Sequence, residues 1–328
     1  MGYILLVTFC AVFASVLAPD TSPNANQMHV SIHSKAPGFS SLLLLVPNAE
    51  GDIIEELPIS DYYWEDDRLY YRAVGVYKAD YQTLAKDRFP SHLNREKIVQ
   101  QFIASRTFYL GTDKFGRDLL SRMMLGARIS LSIGLVAVLI SLIVGIVMGG
   151  LGGLFGGKVD AFILWLINVV WSIPSLLMII AITLALGKGF WQVFIAVGLT
   201  MWVEVARLVR GQVLSIKEQT YIQAAKGLAY SPLRIFVFHI FPLVIPSLIV
   251  ISTANFASAI LIESGLSFLG IGAQPPIPSW GGMIKDHFRY ILLGKAYLAI
   301  IPGLAIMSLV LAFMVLGNVL RDALDVKS

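Results

Sequence analysis

The chain has 328 residues, of which 56% are hydrophobic and only 14% are charged, and its formal net charge is +4. A soluble domain has roughly 25% charged residues, so the composition excludes an ordinary soluble domain. The small net charge and the lack of a basic run give no reason to expect nucleic acid as a partner, and the single cysteine excludes a disulfide within the chain.

Six apolar stretches of the sequence are candidate membrane spans. A transmembrane helix needs about 20 apolar residues, and only helices and closed barrels satisfy their backbone hydrogen bonds in lipid. In chain order the stretches are Tyr3–Ala18, 129–154, 161–186, 190–205, 236–262 and 296–316. The sequence therefore predicts an all-α polytopic membrane protein with about six transmembrane helices in contact with membrane lipid.

The first stretch, Tyr3–Ala18, has a rival interpretation as a signal peptide, because it is short and ends in Val16-Leu17-Ala18. It lacks a positively charged beginning, and Pro19 follows the cleavage point that a signal peptide would have. These features favour a retained transmembrane helix over residues 1–18. Either interpretation leaves the following segment on the outer side of the membrane.

Residues 19–109, between the first two spans, are predicted to form an α+β extracytoplasmic insert. The segment 19–125 holds 12 Lys and Arg with 14 Asp and Glu, and the remaining 13 and 7 lie in 126–328. "RLYYRAVGVYKADY" (68–81) is strand-like, and "LNREKIVQQFIASR" (93–106) has a polar helical pattern. We expect the insert to pack on the membrane body, and a contact with substrate is the alternative.

The distribution of cations predicts the orientation. With the insert outside, the inner loops 155–160, 206–235 and 317–328 carry eight Lys and Arg against four Asp and Glu, as the positive-inside rule expects. Arg117, Arg122 and Arg128 would enter the second span from the outside and do not fit this rule. The length of the insert weakens that objection, because long loops cross membranes largely regardless of charge.

Gly145, Gly149 and Gly153 recur every four residues in the second span. Glycine at this spacing lets the backbone of another helix approach closely. The pattern predicts tight helix packing inside the subunit.

The chain shows no motif of an enzyme. Residues 152–158 match part of a phosphate-binding loop, but Val159 stands where such a loop needs Ser or Thr, and an apolar helix precedes it in place of a strand. His29 and His33 are four residues apart in a loop-like segment with no third metal ligand nearby. We expect a non-catalytic subunit with no catalytic residue, no cofactor and no metal.

Two acidic positions near the ends of predicted spans carry separate hypotheses. Glu204 and Arg207 are three residues apart, which predicts an ion pair on the helix surface at the inner end of the fourth span. Glu263, followed by Ser264, lies at the outer end of the fifth span. It either faces an aqueous pathway or gate, or it caps an interface.

Residues 207–241 form a predicted cytoplasmic loop between the fourth and fifth spans, with a short helix, a turn and a second helix. Ser215 at the N-cap and Glu218 at N3 predict a capping box for the first helix. Ser231 and Pro232 predict the start of the second. Small residues at 224, 225 and 227 allow close approach by a partner.

This loop resembles the EAA loop of binding-protein-dependent ABC importer permeases. That loop has the form E-A-A, three residues, G, and later I-x-L-P, and this chain has Gln223-Ala224-Ala225, Ala229 and Ile240-Phe241-Pro242. "LGTDKFGRDLLSRMMLGARISLSIG" (110–134), "LIESGLSFLGIGAQPPIPSWGGMI" (261–284) and "LRDALDVKS" (320–328) resemble the dipeptide/oligopeptide/nickel subgroup. The resemblance covers about residues 105–328, and a permease core of five spans with the coupling loop would occupy 110–328.

The resemblance implies a permease subunit of an ATP-driven importer in the inner membrane, with peptides as the favoured substrate class. Its partners would be two cytoplasmic ATP-binding subunits, a homologous second permease and an extracytoplasmic substrate-binding protein. The EAA loop would dock on an ATP-binding subunit, and ATP-driven motion would rock the spans. The residues that would make this contact are Tyr221, Gln223, Ala224, Ala225, Lys226, Gly227, Leu228, Ala229 and Ser231.

Two departures from the family pattern concern the turn and the contact. Gln223 replaces the usual acidic residue. Ala229 replaces the usual glycine, and alanine disfavours a left-handed turn.

The alternative function is a stand-alone secondary transporter or channel. It would need charged relays within the spans and often an internal repeat, which the sequence does not show.

Overall fold

The computed structural model describes residues 1–48, 53–75, 81–187 and 189–324. The chain divides into two compact units. One unit comprises Met1–Val12, Gly126–Asp286 and Ala299–Ser328, and the other comprises Phe13–Leu125 and His287–Leu298. Part of the strand-like stretch 68–81 and the last four residues of the family-like C-terminus lie outside the described residues.

Helices form most of the described chain. They are α1 Gly2–Val12, α2 Ala14–Leu17, α3 Arg95–Phe102, α4 Leu119–Phe155, α5 Gly157–Ser172, α6 Ser175–Leu186, α7 Phe190–Lys217, α8 Thr220–Gly227, α9 Pro232–Ile235, α10 Phe241–Leu269, α11 Trp280–His287 and α12 Tyr297–Leu324. One turn of π-helix, Phe236–Ile240, joins α9 to α10.

Four helices of the described chain are long and apolar enough to cross a membrane, and a bent pair would make a fifth. These candidates contain the second to sixth predicted spans. The first predicted span is different, since α1 has 11 residues and is therefore about 16 Å long, against a hydrocarbon core of about 30 Å. A sixth span stays a prediction.

The third predicted span is broken in the middle. α5 and α6 meet at an angle of 94°, and Ile173 between them has an extended backbone. The cause is Pro174, because proline lacks an amide donor and disfavours helical geometry in the residue before it. The break produces a new helix N-terminus at Ser175 inside the apolar region of the sequence.

The fourth predicted span is longer than the sequence suggested. α7 continues to Lys217, so the capping box predicted at Ser215 is wrong and residues 206–217 are helical, while their cytoplasmic location stays a prediction. The helix tolerates its cations because each has a partner in the chain. Arg210 forms an ion pair with Asp160 of α5, with Nη2 2.6 Å from Oδ2, and Lys217 Nζ donates to the Leu154 carbonyl at 2.9 Å.

The glycine row of the second span packs against α7, as predicted. A Cβ built on Gly149 would lie 2.5 Å from the carbonyl oxygen of Ala206, and one on Gly145 would meet the side chain of Val205. Gly153 faces Val213 in the same way. The helices therefore approach so closely that there is no room for side chains at these positions.

The second unit contains a five-stranded antiparallel sheet of order β4-β3-β2-β1-β5. Its strands are β1 Phe39–Pro47, β2 Ile53–Glu65, β3 Arg68–Ala73, β4 Gln82–Ala85 and β5 Ile103–Phe108. The side chain of Asn94 caps α3, and Ile98 of α3 is buried with Leu44, Ile59 and Leu69 of the sheet. The predicted helix over 93–106 ends at Phe102, because its last residues pair with β1.

A buried ionic network explains why arginines precede the second span. Asp113 is fully buried and accepts from Arg117 Nε at 2.6 Å, while Arg117 Nη1 donates to the side-chain oxygen of Asn26 at 2.9 Å. Arg122 lies 3.8 Å from the same Asp113 carboxylate. Arg117 and Arg122 are thus both drawn to the Asp113 carboxylate inside their own unit.

Candidate coupling site

The helix α8 is the centre of the predicted coupling loop, and one face of it is fixed to the chain. Ile222 is fully buried and Ala225 is 6% exposed. Both belong to a hydrophobic cluster that includes Val209 and Val213 of α7 and Val244 of α10. A short helix of eight residues is unstable alone, and α8 is stabilised by a hydrophobic cluster that it shares with α7 and α10.

The opposite face of α8 is open. Tyr221 is 47% exposed and Leu228 is 70% exposed, and the exposed residues between them are Gln223, Ala224, Lys226 and Gly227. The small residues that were predicted to contact a partner therefore lie on two different faces of α8. Ala224 and Gly227 lie on the open face, whereas Ala225 packs inside the chain.

The turn after α8 has the left-handed conformation that the family glycine would provide. Ala229 has φ of 62°, and the amide of Tyr230 donates to the Ala225 carbonyl at 3.2 Å. Alanine at this position therefore still adopts a left-handed turn, and an altered contact with a partner stays a prediction. The left-handed backbone of an alanine costs roughly 1–2 kcal/mol, and the buried contacts on both sides of the turn outweigh that cost.

The side-chain amide of Gln223 donates a hydrogen bond within the chain. Its Nε2 donates to the backbone carbonyl of Lys217 at 3.0 Å, at the C-terminal end of α7. A helix leaves its last carbonyls without internal partners, so this bond ties the two helices together. A carboxylate at position 223 cannot donate such a bond.

The second helix of the segment begins as predicted, with Ser231 at its N-cap and Pro232 in the first turn. The Ser231 hydroxyl oxygen accepts from the amide of Arg234. The π-helical turn then leads into α10, and Ile240 at its end is fully buried in the same cluster as α8. The Ile240-Phe241-Pro242 signature therefore marks the joint between the segment and α10.

Glu263 and Ser264 are turned into the subunit. Glu263 is fully buried in α10, and its carboxylate accepts from the Ser267 hydroxyl at 2.6 Å. Ser130 of α4 lies at 3.5 Å from the other carboxylate oxygen, while Ser264 donates to the Ile260 carbonyl. A pathway or gate role for Glu263 and Ser264 stays a prediction, and these contacts place their polar atoms between helices.

The predicted ion pair of Glu204 with Arg207 is absent among the described residues. Arg207 Nη2 donates to the side-chain oxygen of Asn168 at 3.0 Å, and its guanidinium lies 3.3 Å from the centre of the Trp171 ring. Both partners belong to α5. Sequence spacing alone missed them because they are distant in the chain.

The family of binding-protein-dependent transport system inner membrane components matches residues 122–327. The dipeptide transport system permease protein DppC of Bacillus subtilis (strain 168) is 38% identical over 239 residues, which are 73% of this chain and 75% of the relative. The glutathione transport system permease protein GsiD of Escherichia coli O157:H7 is 41% identical over 219 residues, covering 67% and 72%.

Solved structures support the fold. An inward-facing conformation of the MetNI methionine ABC transporter superposes with a TM-score of 0.53 at 16% identity, covering 63% of this chain and 97% of that chain. A second crystal form of the same transporter gives a TM-score of 0.51 at 18% identity, with 62% and 96% covered. At these identities the likeness shows the fold alone.

Proposed function

The chain belongs to the family of binding-protein-dependent transport system inner membrane components, and from this premise we propose that it is the permease subunit of an ATP-driven peptide importer. It is a multi-pass permease of the inner membrane in the subgroup of peptide and nickel importers. Its similarity to dipeptide and glutathione permeases favours substrates with peptide bonds. Family membership also argues against a stand-alone transporter or channel.

The observation that carries the proposal is that α8 has one buried face and one exposed face. Its buried face is fixed to α7 and α10 through Ile222 and Ala225, and its open face is free to contact a partner. A rigid element of this kind transmits a push without bending. An ATP-binding subunit that moves α8 would therefore move both spanning helices with it.

The assembly would contain two cytoplasmic ATP-binding subunits, a homologous second permease and an extracytoplasmic substrate-binding protein. ATP hydrolysis belongs to the ATP-binding subunits, and this chain is non-catalytic. The open face of α8 and the turn that follows, residues 221–231 with Ala225 as a buried support, would contact one ATP-binding subunit. The insert over 19–109 would lie outside the cell, and α1 with α2 would supply the sixth span.

Affinity purification of the tagged chain from its native membranes tests the proposal. We expect two ATP-binding subunits and a second permease to purify with it in mild detergent. The same complex in proteoliposomes, supplied with its binding protein, should accumulate a radiolabelled dipeptide only with ATP. Dipeptide uptake by the chain alone, without ATP-binding subunits, would support a secondary transporter instead.

A further inference from the structure

Glu204 lies near the middle of the helix α7, and the residue is exposed. The sequence placed it at the inner end of a span, but α7 continues for 13 residues beyond it, which is about 20 Å. A charged side chain within a predicted membrane span is costly in lipid and normally faces a water-filled cavity or a partner. Its position therefore requires a polar neighbour.

A cavity of about 340 Å³ lies beside Glu204, where the break between α5 and α6 meets α7 and α10. The residues that line it include Glu204, the hydroxyl-bearing Ser175, Thr200 and Ser258, and Trp171. The hydroxyl of Thr200 donates to the Ala196 carbonyl at 2.8 Å, so its oxygen still has lone pairs that accept. The cavity thus offers one negative charge and several hydrogen-bond acceptors.

The charge of Glu204 has no counter-ion within the part of the chain that the structure describes. Arg207, three residues away, is held by Asn168 and by the Trp171 ring. Arg210 is held by Asp160. The two cations nearest in sequence are therefore occupied, which leaves the carboxylate available to a ligand.

We propose that this cavity is a substrate subsite on the translocation path, where Glu204 accepts the terminal ammonium group of the transported peptide. An ammonium has three donors and needs several acceptors around it, and the carboxylate with the surrounding hydroxyl oxygens provides them. A volume near the lower end of the usual range for ligand sites suits the first residue of a peptide. The inference rests on the proposed function and names the end of the substrate that the chain recognises.

Charge restoration at position 204 tests the subsite. Cys10→Ser first removes the only cysteine of the chain, and Glu204→Cys is then added. ATP-driven uptake of radiolabelled alanyl-alanine by the reconstituted complex should fall about tenfold or more, because loss of a charge-assisted hydrogen bond typically has at least this effect. A sulfonatoethyl thiol reagent, which restores a negative charge, should recover uptake in part. A trimethylammonium-ethyl reagent of similar size should not.

Controls separate the subsite from assembly and from the proposed function. Cys10→Ser alone should transport normally and ignore both reagents, and Glu96→Gln should show that loss of an exposed carboxylate elsewhere is harmless. Unchanged uptake by Glu204→Cys, equal recovery with both reagents, or no labelling at all would overturn the subsite while leaving the importer intact. Loss of the second permease from the purified variant would also overturn it, since Glu204 would then serve assembly. No dipeptide uptake by the unmodified complex would overturn both proposals.

Discussion

At the scale of single residues, the two departures from the EAA pattern have local explanations. Gln223 donates to the end of α7, which an acidic residue could not do. Ala229 holds a left-handed backbone that is normal for glycine. One departure thus adds a bond inside the chain, and the other adds strain at the turn between α8 and α9.

Ala229→Gly should raise the stability of the isolated subunit by about 1 kcal/mol, because glycine adopts positive φ without strain. The matched change Ala224→Gly, on the open face of α8, should lower stability by about 1 kcal/mol, since glycine is a poor helix former. Thermal unfolding of the purified subunit in detergent measures both. Equal effects of the two glycines would contradict the strain at position 229.

Gln223→Glu should destabilise the junction of α7 and α8 by about 0.5–1 kcal/mol, because it removes a hydrogen-bond donor and places negative charge at a helix C-terminus. Gln223→Lys keeps a donor and adds a favourable charge, so it should stay close to the parent protein. Thermal unfolding is again the measurement. A glutamate variant as stable as the parent would show that the amide bond contributes nothing.

At the scale of elements, α8 and the glycine row of α4 both depend on α7. α8 is held by a hydrophobic cluster on α7 and α10, and α4 approaches α7 at positions where a side chain would collide with backbone or β-branched neighbours. α7 is therefore the common support for the coupling segment and for the second span. Under the proposed function, motion imposed on α8 would reach the membrane helices through α7.

The two faces of α8 should respond differently to truncation. Ile222→Ala removes a fully buried side chain and should lower the stability of the subunit by about 2 to 5 kcal/mol. Tyr221→Ala changes an exposed side chain and should alter stability by less than about 0.5 kcal/mol, yet it should weaken co-purification of the ATP-binding subunits. Normal retention of those subunits by Tyr221→Ala would contradict docking on the open face.

The close contact of α4 and α7 predicts that alanine destabilises the subunit at Gly149 but not at Gly303. Gly149→Ala should destabilise the subunit by about 1–3 kcal/mol, because the added methyl overlaps the Ala206 carbonyl. Gly303→Ala, inside α12, meets nothing within 4 Å and should leave stability unchanged or slightly raised. Thermal unfolding in detergent compares the pair, and similar losses would argue against tight packing at Gly149.

At the scale of the whole molecule, the chain combines a helical unit with a unit built around an antiparallel sheet. The family match begins at residue 122, so it covers the helical region and leaves out the sheet. The sheet unit has its own core and its own buried ionic network. An extracytoplasmic insert over 19–109 that packs on the membrane body stays a prediction.

Cysteine labelling should locate the insert and the inner loop on opposite sides of the membrane. In a Cys10→Ser background, Ser91→Cys of the insert should react with an impermeant maleimide in right-side-out vesicles. Lys158→Cys, in the first turn of α5, should react only after the vesicles are opened. Protection of Ser91→Cys in sealed vesicles would contradict an extracytoplasmic insert.

The sequence by itself determined the membrane class and the family, and it predicted the helix-turn-helix segment around α8 that is the candidate for coupling. These properties can be read from the sequence because they depend on local features. Lipid requires long apolar helices, and Ser231-Pro232 starts a helix at its own position in the chain. Only the tertiary structure decided where α7 ends, which face of α8 is open and what surrounds Glu204. Those features depend on partners such as Asp160, Asn168 and Val244, which are far away in the chain and which no local pattern identifies.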